Sequence, residues 1–496
     1  MNIYHFVALI LVTVGPVLAL ARGMGLPPSL VLFGVGLLST ALPGLPDAPI
    51  DSELLQSLFL PPLLYASTVR VSWHLLRFTW VPGLLVGAFM VPTTVVAVAS
   101  VALVVLPGLS WTTALLLGVV TAVFDTRLFH EADGRPHVPR ALSDSLKARE
   151  LVARLLALAT FGLLIDTAQE SRFAPLRLLE HYVLDLCVGV ALGILIGRAI
   201  VRLRTRIDPA PVEIAVSIVT PYAASLAATA LGVSGVATIT AAALAVSAVR
   251  VDRRSGAPIS SSEARINAVA FWEEVSLIVS SVLFLLAGRA LPQALAGLDN
   301  QPLPHVAAAA VAILALVLVV QFVMSWFSTA APPISRFLSR RRPEGTSRVP
   351  VAGVMAWSST RSVIGLVLAL SLPEALPDGT PFPDRDLILV IGALTIVGSI
   401  LLQGLTLNRV ATYASLSTGE EQSREEAAAR HATEGALARP GAEHANGFDA
   451  ARQALLRLRE QDRIGDEVLI EMLREVDLAS RAEEDESLPG AGPPNP

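Results

Sequence analysis

At 496 residues, with 53% hydrophobic side chains, 16% charged and a mean hydropathy of +0.61, the chain carries more apolar surface than a soluble fold of this length buries. It reads as a membrane protein. The formal net charge of −5 comes largely from the C-terminal tail, and the single cysteine, Cys187, excludes an intrachain disulfide and a cysteine-built metal site.

Thirteen apolar stretches run approximately over 3–20, 26–42, 54–68, 81–106, 111–129, 150–165, 182–201, 212–229, 232–249, 269–288, 304–328, 350–371 and 386–407. Most are near the ~20 residues that cross ~30 Å of hydrocarbon. The opening stretch lacks the Lys or Arg of a signal-peptide n-region and is read as the first span. Basic residues then fall in every second loop: Arg22; Arg70 and Arg77; Arg135, Arg140 and Lys147; Arg202, Arg204 and Arg206; Arg250, Arg253 and Arg254; Arg336, Arg340, Arg341, Arg342 and Arg348. The intervening loops hold Asp47, Asp51 and Glu53, then Asp299, then Glu374, Asp378 and Asp384. Basic residues stay on the cytoplasmic side. An odd number of crossings follows, with the N-terminus outside and the C-terminus in the cytoplasm.

In the loop after the fifth stretch, His130, Glu131, Asp133 and His137 lack a helical HExxH arrangement, so no metal site is expected there. On the seventh stretch Gly189, Gly193 and Gly197 recur at four-residue spacing, which serves either a dimer contact or packing inside one bundle. Asp185, near the outer side of that stretch, is read as snorkelling toward the interface. Past residue 410 the composition changes, and the expected organisation is a membrane domain over 1–410, a polar linker over 411–447 whose Ala, Glu and Arg residues over 418–443 suit a solvated helix or a flexible linker, a cytoplasmic helical tail over 448–480 and a disordered end over 481–496. Two amphipathic helices are expected in the tail, one over 448–459 and one over 466–478, with Leu469, Leu473 and Val476 on one face.

Ionisable residues inside apolar stretches usually line a polar pathway, which points to an ion or solute transporter. Four segments carry a resemblance: Leu60 to Tyr65 in the third stretch, Phe271 to Gly288 in the tenth, Ala356 to Pro373 in the twelfth, and Arg463 to Leu469 in the tail. Together they resemble the bacterial sodium/proton exchanger family of the cation:proton antiporters. That resemblance implies an all-α polytopic fold of about 13 transmembrane helices, built as inverted repeats with crossed, interrupted helices, and a homodimer. It also implies exchange of protons against a monovalent cation through a carboxylate that holds either passenger, with no organic cofactor. No P-loop, dinucleotide fingerprint or catalytic triad suggests an enzyme, and nothing suggests nucleic-acid binding.

The chain departs from the family at the residues that matter most. The usual ThrAspPro of the fifth span reads Phe124, Asp125, Thr126. The GluSerLeuLeuAsnAsp of the sixth span, whose last two residues hold the ion, reads Arg149, Glu150, Leu151, Val152, Ala153, Arg154. Ala66 stands where an acid is common, Gln321 where the eleventh span usually has an arginine, and Ser362 where glycine usually follows the retained Arg361. Candidates for the ion pathway are therefore Asp125, Glu150, Ala153, Arg154, Glu273, Glu274 and Arg361. Arg154 is expected to occupy the former ion site, paired with Asp125, Glu150 or both, and breaks are expected near Asp125 and Arg361. Three functions follow: cation:proton antiport in a bacterial inner membrane, a non-transporting regulatory or sensor paralogue on the same scaffold, or proton-only or anion-coupled transport with Arg154 attracting an anion.

Overall fold

Backbone amides and carbonyls find no water in hydrocarbon, so an apolar span closes its hydrogen bonds within itself as helix. The computed structural model describes residues 3–24, 26–41, 54–69, 71, 73–126, 140–169, 175–204, 206, 210–248, 262–298, 302–330, 348–376, 378–413, 419–438, 444–461 and 463–487. All thirteen apolar stretches contain helix. In order they are α1 (Ile3–Met24), α2 (Pro28–Ser39), a π-helical turn (Leu55–Phe59) running into α3 (Leu60–Thr68), α4 (Trp73–Val105), α5 (Trp111–Ala122), α6 (Arg140–Gln169), α7 (Pro175–Arg204), α8 (Ala210–Leu231), α9 (Gly235–Ala248), α10 (Ser262–Ala296), α11 (Leu303–Ser328), α12 (Val349–Trp357) with α13 (Val363–Leu370), and α14 (Arg385–Tyr413). Among the described residues, seven helices are individually long and apolar enough to cross a bilayer, and α2, α5 and α9 are shorter apolar helices.

Pro61 and Pro62 lie in the first turn of α3 directly after the π-helical turn, where their missing amide hydrogens interrupt the regular helical ladder. Helix α5 starts on Ser110, whose hydroxyl accepts from the Thr113 amide at 3.1 Å, and stops at Ala122 because Val123 turns extended. Phe124–Asp125 then forms a two-residue strand, β1, and Thr360–Arg361 between α12 and α13 forms β2. The two pair antiparallel, Phe124 opposite Arg361 and Asp125 opposite Thr360. The interrupted spans therefore cross at their breaks, as the resemblance implies, and each supplies hydrogen-bond partners for the other's unwound backbone. Gly365 lets them approach, since a Cβ there would lie 2.3 Å from the Val120 carbonyl oxygen.

Around the crossing stand two three-span units of the same design: α4, the broken α5 and α6; then α11, the broken α12–α13 pair and α14. Helix α6 begins ten residues earlier than the apolar stretch alone predicts. Its first turns bury Leu142 and Leu146 against Val351, Val354 and Met355 of α12, which carries the helix past the hydrophobic boundary.

The glycine stripe of α7 is filled by α9 of the same chain. Cβ atoms added at Gly189, Gly193 and Gly197 would lie 2.8 Å from the Ser234 carbonyl oxygen, 2.3 Å from that of Thr238 and 2.5 Å from the Ala245 Cβ. Within the chain these glycines pack against α9. In the tail, α15 (Gly419–Leu437), α16 (His444–Glu460) and α17 (Asp466–Ser487) share an apolar core of Ala429, Phe448, Leu455, Leu469, Met472 and neighbours. The stretch expected as a linker thus contributes a helix. Its alanines read as neutral in sequence, but Ala429 and Ala436 are small enough to bring α15 against α16 and α17. Helix α17 also continues to Ser487, beyond the expected boundary at 480.

Candidate functional site

The crossing of the two broken spans is where the buried ionisable side chains gather. Arg361 of β2 sends its guanidinium to the end of the other broken span: Nη1 donates to the Thr121 carbonyl at 2.9 Å and to that of Ala122 at 3.4 Å. Those carbonyls end α5 and have no helical donor, and the negative end of the helix dipole adds to their attraction for a cation. Arg361 thus bridges carbonyls of the other broken span. Its other terminal nitrogen donates to Gln321 Oε1, and Gln321 Nε2 donates to the Ser359 carbonyl. Gln403 of α14 donates to the Ala356, Trp357 and Ser359 carbonyls at 3.2, 3.2 and 3.3 Å. The Ser399 hydroxyl donates to Gln403 Oε1 and accepts from the Arg361 amide at 3.0 Å. Ser362 caps α13 by accepting from the Ile364 amide. A neutral network of amides and hydroxyls thus satisfies the second break.

The first break is satisfied by charge. Glu150 Oε2 accepts from the Thr126 hydroxyl at 2.6 Å and the Thr126 amide at 3.2 Å. Its Oε1 pairs with Arg154, one turn further along α6, and Arg154 Nη1 also donates to the Ser67 hydroxyl of α3. The pair has the acid on the N-terminal side at i,i+4, the favourable orientation on a helix. Arg154 is therefore paired with Glu150 and Ser67 rather than with Asp125. Asp125 is buried, and its backbone carbonyl accepts from the Thr360 hydroxyl at 3.2 Å. Ala153 is buried beside Arg154 with no polar atom to offer an ion, and Ala66 is likewise buried beside Ser67.

Arg149 is the residue that sequence reasoning left out of the site. Its guanidinium donates to Ser325 of α11 at 2.9 Å and to Ser359 at 2.8 Å, and stands 5.3 Å from the centre of the Phe124 ring. Arg361 stands 5.8 Å from the centre of the same ring. The sequence signal was present as an arginine next to an apolar run. Setting the span boundary at 150 gave that arginine to the interface. Gln321 and Arg149 belong together: both bond Ser359, so a positive charge usual on the eleventh span has its counterpart here on the sixth.

The remaining candidates lie apart from this cluster in character. Glu273 and Glu274 are exposed on α10, although their neighbour Trp272 is buried against Tyr65, with ring centres 4.8 Å apart. Asp185 is half-buried on α7. His130, Glu131, Asp133 and His137 lie outside the described residues, and among the described residues no cluster of metal-ligating side chains occurs.

Among the described residues, the arrangement holds three guanidinium groups (Arg149, Arg154 and Arg361) and two carboxylates (Asp125 and Glu150) within buried surroundings where the broken spans meet.

Comparison with known proteins agrees with this architecture. A family described as "Sodium/hydrogen exchanger, transmembrane" matches residues 8–413. An uncharacterized Na(+)/H(+) exchanger of Mycobacterium tuberculosis is 29% identical over 411 residues, which cover 82% of this chain and 73% of the relative. A sodium, potassium, lithium and rubidium/H(+) antiporter of Bacillus subtilis is 23% identical over 401 residues, 77% of this chain and 57% of its own length. The solved structure of the sodium proton antiporter MjNhaP1 from Methanocaldococcus jannaschii superposes with a TM-score of 0.60 at 15% identity, covering 84% of this chain and 98% of that one, and shares its fold.

Proposed function

The chain belongs to the sodium/hydrogen exchanger family, and on that premise we propose that it exchanges a monovalent cation, sodium or potassium, for protons across a bacterial cytoplasmic membrane. In this reading it crosses the membrane thirteen times, with the N-terminus outside and the C-terminus in the cytoplasm, and works as a homodimer. The observation that carries the reading is the crossing itself. Two unwound spans meet mid-chain around buried charge, the arrangement in which transporters expose backbone groups to an ion without exposing them to lipid.

Within that frame Arg154 stands at the exchange position as a built-in cation, held by Glu150 as a carboxylate would hold a passing ion. A passenger has to compete with a guanidinium tethered one helical turn away, so exchange should be slow and only weakly sensitive to sodium. The pairing also favours a second reading, a regulatory or sensor paralogue that keeps the scaffold and transports nothing. Both are tested by ion-driven proton movement in proteoliposomes, with empty liposomes as control. Sodium- or potassium-driven proton flux above the control supports the exchanger; no flux with either cation in correctly folded protein supports the paralogue.

A further inference from the structure

Helices α4–α6 and α11–α14 pack mainly on one another and contain both breaks, while α1–α3 and α7–α10 pack mainly on one another beside them. The spans thus divide into an exchange unit and a supporting unit. The hydrogen bonds that Arg149, Arg361 and Gln403 make at the crossing stay inside the exchange unit. Arg154 is different. It rides on α6 in the exchange unit, yet its Nη1 donates to the Ser67 hydroxyl of α3, in the supporting unit. Ser67 is arranged to accept: its hydroxyl gives its own hydrogen to the Leu63 and Leu64 carbonyls one turn back, at 2.8 and 3.0 Å, which leaves the oxygen's lone pairs for the guanidinium. Another tie crosses at the opposite end of α3, where Gln56 of the π-helical turn donates from Nε2 to the Ser371 carbonyl just past α13, at 3.3 Å. That tie is neutral, long and made by an exposed residue, whereas the Arg154 tie is charge-assisted and its side chain is buried. Charged donors make the stronger bonds.

We propose that the Arg154–Ser67 contact is a latch, which holds the exchange unit in one position against the supporting unit and opens whenever the unit shifts. The proposal rests on the exchanger reading for the need to move, since transporters built on broken helices alternate access largely by rocking one bundle against another. Apolar helix faces slide at small cost, because each lost contact is replaced by a similar one. A hydrogen bond has no such tolerance. A shift of ~1 Å takes it out of range and leaves the buried guanidinium a partner short. Glu150 travels with Arg154 because both sit on α6, so the charge stays paired during the shift and the cost of opening falls at Ser67.

The test is a distance measurement that needs no ion gradient. Spin labels are placed on full-length protein in lipid nanodiscs, at the native Cys187 of α7, which is exposed, and in turn at Val104→Cys of α4 and Val311→Cys of α11, both exposed positions of the exchange unit. With the latch intact, each pair should give one dominant distance. Ser67→Ala should bring up a second population in at least one pair and raise its ratio to the first by about tenfold, the scale of a lost hydrogen bond to a charged group. Ser67→Thr keeps the hydroxyl and should restore the dominant distance. Gln56→Ala opens the weaker tie and should change the ratio by less than about threefold. Unchanged distributions in Ser67→Ala, or the same redistribution in Ser67→Thr, would overturn the latch. Because no flux is read, the latch can fail in a protein shown to exchange cations and can hold in one that transports nothing.

Discussion

The two unwound segments pair with each other and are satisfied by opposite chemistry. At the second break, Gln321, Ser399, Gln403 and Ser362 bind free carbonyls and amides with neutral groups, and Arg361 reaches across to the end of α5. At the first, the backbone amide of Thr126 is held by a carboxylate that is itself held by an arginine. A neutral network is insensitive to which ion is present, whereas a charged one changes with every charge added or removed. The difference teaches that the scaffold and the ion chemistry occupy different halves of the crossing. The residues that depart from the family fall in both halves: Thr126, Ala153 and Arg154 in the charged one, Gln321 and Ser362 in the neutral one.

The largest expected effect comes from breaking the charged half asymmetrically. Glu150→Ala leaves Arg154 buried without a carboxylate and removes the acceptor of Thr126, which should destabilise the protein by ~3–5 kcal/mol. Replacing both members, Glu150→Leu with Arg154→Leu, should cost far less, because no charge is then stranded. Unfolding midpoints in one detergent measure both, and similar losses in the single and double variants would contradict the pairing. Next comes the neutral half: Gln403→Leu leaves three carbonyls with fewer donors, for roughly 1–3 kcal/mol. That loss should be the same at low and high salt, unlike any change at Glu150. The smallest effect is expected at the α13 cap, where Ser362→Ala should cost ~1 kcal/mol in stability and leave proton flux unaltered.

Much of the fold was legible because it is written in apolar runs and in their punctuation. Pro61 and Pro62 mark the start of α3, and the basic loops mark every second turn. The break at Asp125 formed although Thr126 stands in place of the family's proline. Its geometry comes from pairing with Thr360 and Arg361, a contact 235 residues away that no local signal encodes. Helix α15 was legible as a solvated helix, one of two readings of its Ala, Glu and Arg composition, but its packing was not: alanine has little hydropathy, yet its small size permits close approach in the tail. At the site, the Glu150–Arg154 pair was readable from helical spacing alone. The environment of Arg149 was not, because it depends on Ser325, Ser359 and Phe124 from three other elements.

The central claim is that a permanent cation stands where a shared, titrating acid would. Its most direct test is the apparent KM for sodium in proteoliposomes containing the unmodified protein, measured as the pH is lowered in steps. When one acid serves both ions, protons compete with sodium, and the apparent KM rises toward ~tenfold per pH unit below the acid's pKa. With Arg154 in that position the expected flux is weak and its KM is unchanged across the physiological range, and Ala153→Asn together with Arg154→Asp should introduce the competition. Robust exchange by the unmodified protein, with a KM that climbs as the pH falls, would contradict the account and move the ion site to Asp125 or Glu273.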